Sequence, residues 1–328
     1  MTQLELNAKI TSEFLNILKT HLSEKLISSN GSIGPVFDAD LTDKNLNYKD
    51  THYFYNGELK FVHWTSIQNL LSIINNREIR LYNLLNSSDP DEFDYAAKAL
   101  EISHNQINHS KNYFFTFSFC RSYDLANKYL WNEYGKDYTG VAIEFEIINK
   151  PDLWENFMIS QVYYKLPQFL IDFILDLNVL CEKYPGIKTE IDLGKLIGFH
   201  KKKRFNEENE LRLSTYFPFE SLEAYWKYCN TEFRFDKDRP RITSYFGLSL
   251  WVDNDSPYVK SDKPKYDRQL IIEENYFKTR PQIKLTQIHF GKNCGINNYQ
   301  FLEFRQKLEE IIRLKLGYNL NLELNLFK

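Results

Sequence analysis

The sequence predicts an α+β protein whose core is a mixed β-sheet with flanking helices. From residue 59 onward, short runs rich in β-branched and aromatic residues alternate with runs of helical spacing, which is typical of a sheet interleaved with helices. Hydrophobic residues make up 43% of the 328 residues and charged residues 26%, an ordinary supply of apolar side chains for a globular core. We therefore expect one large domain over 58–328, preceded by an N-terminal extension over 1–57.

The extension is predicted to begin with a helix. Apolar residues recur at helical spacing from Leu4 to Leu26, and the run ends before Ser28-Ser29-Asn30-Gly31. Residues 31–57 mix Gly, Asp, Asn and Lys with little periodicity, so we expect a linker or a loose lid there.

The main domain is predicted to be a sheet with one helical insertion. Residues 151–200 carry apolar clusters interrupted by acids at helical intervals, which predicts the insertion. Residues 228–280 are charged and contain proline, and we expect a long hairpin or excursion there. Strands are expected at 59–64, 78–82, 113–119, 141–146, 210–217, 283–290 and 318–326, and helices at 66–75, from 92 to 107, at 125–134 and at 299–316.

Composition argues against several classes of protein. The net charge is −3, from 41 basic and 44 acidic residues, so no attraction of the whole molecule to nucleic acid or to membranes is expected. The four cysteines are scattered without a C-x-x-C pair, which favours free thiols in a reducing compartment. No window approaches the ~18 uninterrupted apolar residues of a spanning helix, and the N-terminus lacks the pattern of a signal peptide. We expect a cytoplasmic protein.

The stretch around His63 is the most informative part of the sequence. It reads Phe61-Val62-His63-Trp64-Thr65-Ser66-Ile67-Gln68-Asn69-Leu70 and returns as Ile79-Arg80-Leu81. A histidine at a strand end offers a directional hydrogen bond, and Thr65 and Ser66 can cap the next helix while their amides face a ligand. From this motif by itself, a histidine bonded to a neighbour for structural reasons is favoured.

This stretch resembles the first motif of the ADP-ribosyltransferase superfamily, in which a strand ends in His-x-Thr/Ser and a helix with an Asn-Leu pair leads into a second strand. The resemblance implies a split sheet whose cleft binds NAD. His63 would bond the adenosine ribose, and the backbone beside it, at Trp64, Thr65 and Ser66, would bond the nicotinamide amide. Trp64 departs from the pattern, because many transferases have glycine there.

The chain is also similar to an uncharacterised bacterial family associated with abortive phage resistance, of the AbiGi type. The similarity lies in the order of short motifs over residues 61–311. It suggests a phage-defence toxin that modifies a protein or a nucleic acid, for which an antitoxin would be a partner. The matching motifs are His63-Trp64-Thr65-Ser66, 86–93, Phe117-Ser118-Phe119, Trp131 with Tyr134, 140–145, 208–212 and 287–291.

Glu208-x-Glu210 stands where a transferase has its late acidic residue. Breaking the bond between ribose and nicotinamide builds positive charge on the sugar, so a fixed carboxylate stabilises the transition state more than the ground state. Glu210 is the candidate for that role, with Glu208 and Arg212 on the same face of a period-2 strand. A salt-bridged outer face of a strand is the alternative, and the residues favour it about equally.

An aromatic ring that stacks on nicotinamide is expected from the middle of the motif order. Phe117, Trp131 and Tyr134 are the candidates, and core packing is favoured for at least two of them. Ser118 joins the cofactor-binding set by the resemblance.

Two further segments carry polar candidates with plain alternatives. Asn86 and Asp89 could bind a ribose hydroxyl, although a turn followed by a helix start explains them without a ligand. The basic run at 200–204 could steer phosphates, although such a run is more often a solvated helix end.

Three functions remain open on these residues. The leading hypothesis is an NAD-consuming ADP-ribosyltransferase with His63, an aromatic residue and Glu210 as its triad. A metal-dependent nuclease is the second, because clustered carboxylates can hold Mg²⁺, and its ligands would be Asp89, Glu92, Glu144 and Glu146. The third is a non-catalytic partner or antitoxin in which the motifs determine only the fold.

Overall fold

A computed structural model describes residues 2–42, 44–86, 93–100, 102, 104–216, 229–236, 239–253, 279–295 and 298–324. Helices and a mixed sheet form the described chain, which confirms the expected α+β class. The helices are α1 (Gln3–His21), α2 (Ile67–Asn76), α3 (Asp94–Ala99), α4 (His104–Tyr113), α5 (Lys128–Glu133), α6 (Gln168–Lys183), α7 (Gly194–Ile197) and α8 (Asn298–Leu316). The strands are β1 (Ile27–Ile33), β2 (Val36–Leu41), β3 (Lys60–Thr65), β4 (Glu78–Asn83), β5 (Phe114–Arg121), β6 (Val141–Ile147), β7 (Met158–Gln161), β8 (Lys188–Ile191), β9 (Leu211–Tyr216), β10 (Cys229–Asp236), β11 (Arg239–Ser249), β12 (Ile283–Phe290) and β13 (Asn321–Leu324).

One large sheet organises the molecule. Its strands follow the order β10-β11-β4-β5-β3-β6-β12-β13, and β9 pairs with both β5 and β7. The pairs are antiparallel except for β12 with β13, which makes the sheet mixed. β10 and β11 form the hairpin expected within 228–280. In the part of the chain that the structure describes, no helix is long and apolar enough to cross a bilayer.

The large sheet splits beside β5. β4 pairs with residues 115–116 near the start of β5, whereas β3 pairs with residues 120–121 at its end. Between these contacts, residues 117–119 pair with β9, and no second described strand pairs with them. β3 and β4 therefore diverge along this part of β5, as expected for a split sheet.

The two faces of the large sheet support different clusters of apolar residues. Phe61, Phe117 and Leu211 belong to the larger core, which α2 and α8 cover. Val62 and Cys120 belong to a smaller cluster together with residues of α5. This division follows from strand geometry, because successive side chains point to opposite faces.

Residues 31–57 do not form the linker that the sequence predicts. β1 and β2 make a hairpin, and β2 pairs in parallel with β8, which lies inside the predicted insertion. α1 packs against α6 and buries apolar residues in the same cluster. The extension and the insertion thus build one unit with a three-stranded sheet. The insertion is not wholly helical either, because β7 joins the large sheet.

Candidate active site

The carboxylate pair lies where the chain enters β9. A 3₁₀ helix over Lys203–Glu208 ends at Asn209, whose φ of 46° is in the left-handed region that asparagine tolerates. Glu208 is therefore not on the strand, contrary to the expectation that both acids share a period-2 strand. The two carboxylates are nevertheless joined by Lys201, whose Nζ is 2.8 Å from Glu208 Oε2 and 2.6 Å from Glu210 Oε2.

Glu210 is a buried carboxylate with two cationic partners. Arg212 Nε donates to Glu210 Oε1 at 2.7 Å, and the two side chains are 1% and 4% exposed. Burial alone would raise the pKa of Glu210, but the charges and hydrogen bonds of Arg212 and Lys201 outweigh burial and hold the pKa below its usual range. Glu210 therefore stays ionised. Arg212 is held in turn by the carbonyl of Gly198, to which it donates.

Glu208 is equally buried but has a different balance of neighbours. The hydroxyl of Tyr134 donates to its Oε1, and Lys201 occupies its Oε2. Burial raises the pKa of Glu208, and the negative charge of Glu210 raises it further, while Lys201 opposes both. Burial and the neighbouring Glu208 also raise the pKa of the Tyr134 phenol. The pair thus combines one carboxylate whose pKa is lowered with one whose pKa is raised.

Cys120 and Tyr164 complete the surroundings of the pair. The Sγ of Cys120 donates to the carbonyl of Glu208 at 3.2 Å, and burial followed by the charge of Glu210 raises the pKa of its thiol. The backbone N–H of Glu210 donates to the Tyr164 hydroxyl at 3.1 Å. Sequence reasoning missed both residues, and it missed that Lys201 points inward, because nothing in the basic run distinguishes its first lysine from the others.

His63 lies at the split of the sheet. Its Nδ1 donates to the carbonyl of Ser118 at 2.8 Å, and its ring packs on Phe117 with centroids 4.6 Å apart. Burial lowers the pKa of His63 to about 4, although the bond to Ser118 opposes this shift. The ring is therefore neutral at physiological pH and presents Nε2 as an acceptor.

The structure does not place His63 and the carboxylates on one face of the sheet. Val62 pairs with Cys120, and Ser118 pairs with Arg212 across β5 and β9. Val62, Cys120 and Arg212 thus share a face, while His63 points to the opposite face with Phe117. Because side-chain direction alternates along each strand, His63 lies on the face opposite to Arg212, the partner of Glu210.

The three aromatic candidates occupy different environments. Trp131 is 0% exposed and stacks on Tyr138 with centroids 5.3 Å apart, so it packs in the core and does not line a cleft. Phe117 is also buried, against His63. Tyr134 is 44% exposed and reaches Glu208, so it is the aromatic candidate that meets the carboxylate pair.

The residues that follow His63 have structural partners. Trp64 is buried and lies edge-on to Trp131, with centroids 6.4 Å apart. Thr65 and Ser66 are both hydrogen-bonded to Asn69. The Nδ2 of Asn69 donates to Thr65 Oγ1 at 2.9 Å, and its backbone N–H donates to Ser66 Oγ at 3.1 Å. Ser66 is thereby the N-cap of α2, as its position in the motif predicts.

The remaining polar candidates lie elsewhere or outside the described residues. Asn86 ends a 3₁₀ turn over Leu84–Asn86, and Asp89 and Glu92 lie outside the described residues. Glu144 is paired with His289, whose Nε2 lies 2.5 Å from Glu144 Oε1. Across the described ranges, no group of three or more His, Cys, Asp and Glu side chains could hold a metal ion. The nuclease alternative therefore gains no support from this part of the chain.

Comparison with known proteins gives one match. A family model described as "Protein of unknown function (DUF2971)" matches residues 130–213, a segment that contains Tyr134, Lys201 and the carboxylate pair but not His63. No curated protein and no solved structure matches the chain.

Proposed function

We propose that the chain is an NAD-consuming enzyme of the ADP-ribosyltransferase type, with Glu208 and Glu210 as its reactive centre. The observation that carries this proposal is the contrast within the pair: the carboxylates share Lys201, yet one stays ionised and the other has a raised pKa. Carboxyl groups with such divergent environments suit the cleavage of bonds to an anomeric carbon, where one stabilises positive charge and the other handles a proton. The bond from ribose to nicotinamide is of this kind.

Each residue then has a separate part in the reaction. Glu210, oriented by Arg212, stabilises the positive charge that develops on the ribose. Nicotinamide leaves as a neutral molecule and needs no proton, so Glu208 acts on the proton of the attacking group. His63 lies at the split of the sheet, where its neutral ring would bond the adenosine end of NAD, away from the reacting atoms.

The biological setting follows from the resemblance described above. Similarity to abortive phage-resistance proteins extends the proposal to a defence toxin that modifies a protein or a nucleic acid and is controlled by an antitoxin.

Nicotinamide release tests this function. Wild type should consume NAD, and Glu210→Gln should lose ~10²-fold or more in turnover while NAD binding measured by calorimetry changes little, because the lost contact acts mainly in the transition state. Glu208→Gln should lose less, and His63→Ala should weaken binding. Glu144→Gln is the matched control, because Glu144 is a carboxylate of the same sheet that contacts His289 and lies outside the pair.

Two outcomes would contradict the proposal. Full turnover in Glu210→Gln would exclude the assigned mechanism. Absence of nicotinamide release from folded wild-type protein, combined with loss of stability in both glutamate variants, would make the carboxylate pair a structural ion network.

A further inference from the structure

The hydroxyl of Tyr134 is hydrogen-bonded to the carboxylate pair. Its hydroxyl donates to Glu208 Oε1, while the residue as a whole is 44% exposed. Tyr164 also touches the pair, but its hydroxyl accepts a hydrogen bond from the backbone of Glu210 at 3.1 Å. Of these two phenols, that of Tyr134 donates its proton to a carboxylate.

The environment of Glu208 suits it to receive that proton. Burial raises the pKa of Glu208, and the charge of Glu210 raises it further. A phenol is a weak nucleophile while protonated, and an adjacent base activates it. Glu208 and Tyr134 thus form a base and nucleophile pair in direct contact.

The local charge favours a neutral acceptor over a cationic one. Lys201 lies 2.8 Å from Glu208 Oε2 and also contacts Glu210 Oε2 at 2.6 Å. An amine or guanidinium brought to Glu208 would be repelled by Lys201, whereas a neutral hydroxyl would not.

We propose that Tyr134 is itself an acceptor of the ADP-ribosyl group, so that the chain modifies its own active site. This inference rests on the proposed function. Tyr134 Oη forms a bond to the anomeric carbon of the nicotinamide ribose as the bond from that carbon to the nicotinamide nitrogen breaks. The electron pair of the broken bond leaves with neutral nicotinamide, and the phenolic proton passes to Glu208 Oε1. NAD supplies the transferred group, and no oxidant or reductant is required.

Self-modification would stop after one ADP-ribosyl group has been attached to each chain. An ether oxygen at Tyr134 can no longer donate to Glu208, and the bulky anionic adduct would remain at the half-exposed position above the pair. NAD consumption through this route should therefore appear as a burst of one equivalent.

The test combines nicotinamide release with mapping of the adduct by mass spectrometry on the full chain incubated with NAD. The expected adduct is one ADP-ribose on Tyr134. Tyr123 and Tyr184 are internal controls: Tyr123 is 71% exposed, with its ring 5.9 Å from the Arg121 guanidinium. Tyr184 donates to the carboxylate of Glu13 at 2.9 Å, away from the pair.

Variants separate this inference from the proposed function. Tyr134→Phe should abolish the adduct, while Tyr123→Phe and Tyr184→Phe should retain it. Nicotinamide release by wild type with no adduct on Tyr134 would overturn self-modification and leave the proposed function standing. Absence of both nicotinamide release and adduct would overturn the two together. Because the central measurement uses wild-type protein, it does not depend on whether any variant folds.

Discussion

His63 within β3 and the carboxylate pair at Glu208 and Glu210 are two polar sites of the large sheet, and they differ in how buried charge is compensated. The two carboxylates belong to an ion network with Lys201 and Arg212, which compensate their negative charges. The groups of this network come from separate segments of the chain. His63 is a neutral ring with one hydrogen bond to the backbone of β5. Burial of ions requires partners from several elements, whereas a neutral histidine needs only the backbone of a neighbouring strand.

Among the changes that distinguish the two sites, removal of Arg212 should lower the free energy of unfolding most. Arg212→Met leaves Glu210 buried with Lys201 as its remaining cation, so we expect a loss of about 3–5 kcal/mol in the free energy of unfolding, measured by urea denaturation. Lys307→Met removes an exposed ion pair with Glu303 and should cost about 0–1 kcal/mol. Equal losses in the two variants would mean that burial does not make the network sensitive to loss of a charge.

Acid should weaken the fold through His63. The pKa of His63 falls from 6.5 to about 4 on folding, so its contribution to stability is complete above 6.5 and is lost as the pH falls towards 4. The slope from this one proton is at most ~1.4 kcal/mol per pH unit. Burial lowers the pKa of His200 to about 3, and it adds a slope of the same sign.

Denaturation curves between about pH 7 and pH 5 measure this slope. His63→Gln should give a shallower dependence than wild type, and the remaining slope should include that of His200. His109→Gln, at an exposed histidine, is the control and should leave the slope unchanged. An unchanged slope in His63→Gln would show that His63 can be protonated in the folded chain.

Glu208 should also make the free energy of unfolding depend on pH, with a smaller slope of the opposite sign. Because its pKa is raised above 4.5 on folding, its contribution to stability is present below 4.5 and is lost as the pH rises through the folded value. Glu208→Gln lacks this loss, so its stability relative to wild type should improve as the pH rises, by less than ~1.4 kcal/mol per pH unit. Parallel denaturation series for the two proteins test this, and a constant difference between them would contradict it.

Strongly patterned elements of the fold could be predicted from the sequence. β12 spans the expected residues 283–290, and α2 and β4 follow β3 in the expected order. β1 was missed because its residues are exposed over almost its whole length and leave no alternation of apolar and polar side chains. Pairing of β2 with β8 was also missed, since strands so distant in sequence share no local signal.

The sequence by itself determined that Glu210 and Arg212 meet, because residues two apart at a strand start share a face whatever surrounds them. It also determined the N-cap of α2 at Ser66, which depends on neighbouring residues alone. The tertiary structure decided that Lys201 and Tyr134 complete the pair, that Trp131 lies in the core and that His63 faces away from the carboxylates. These outcomes depend on strand register and on packing between distant segments, which no local pattern of residues specifies.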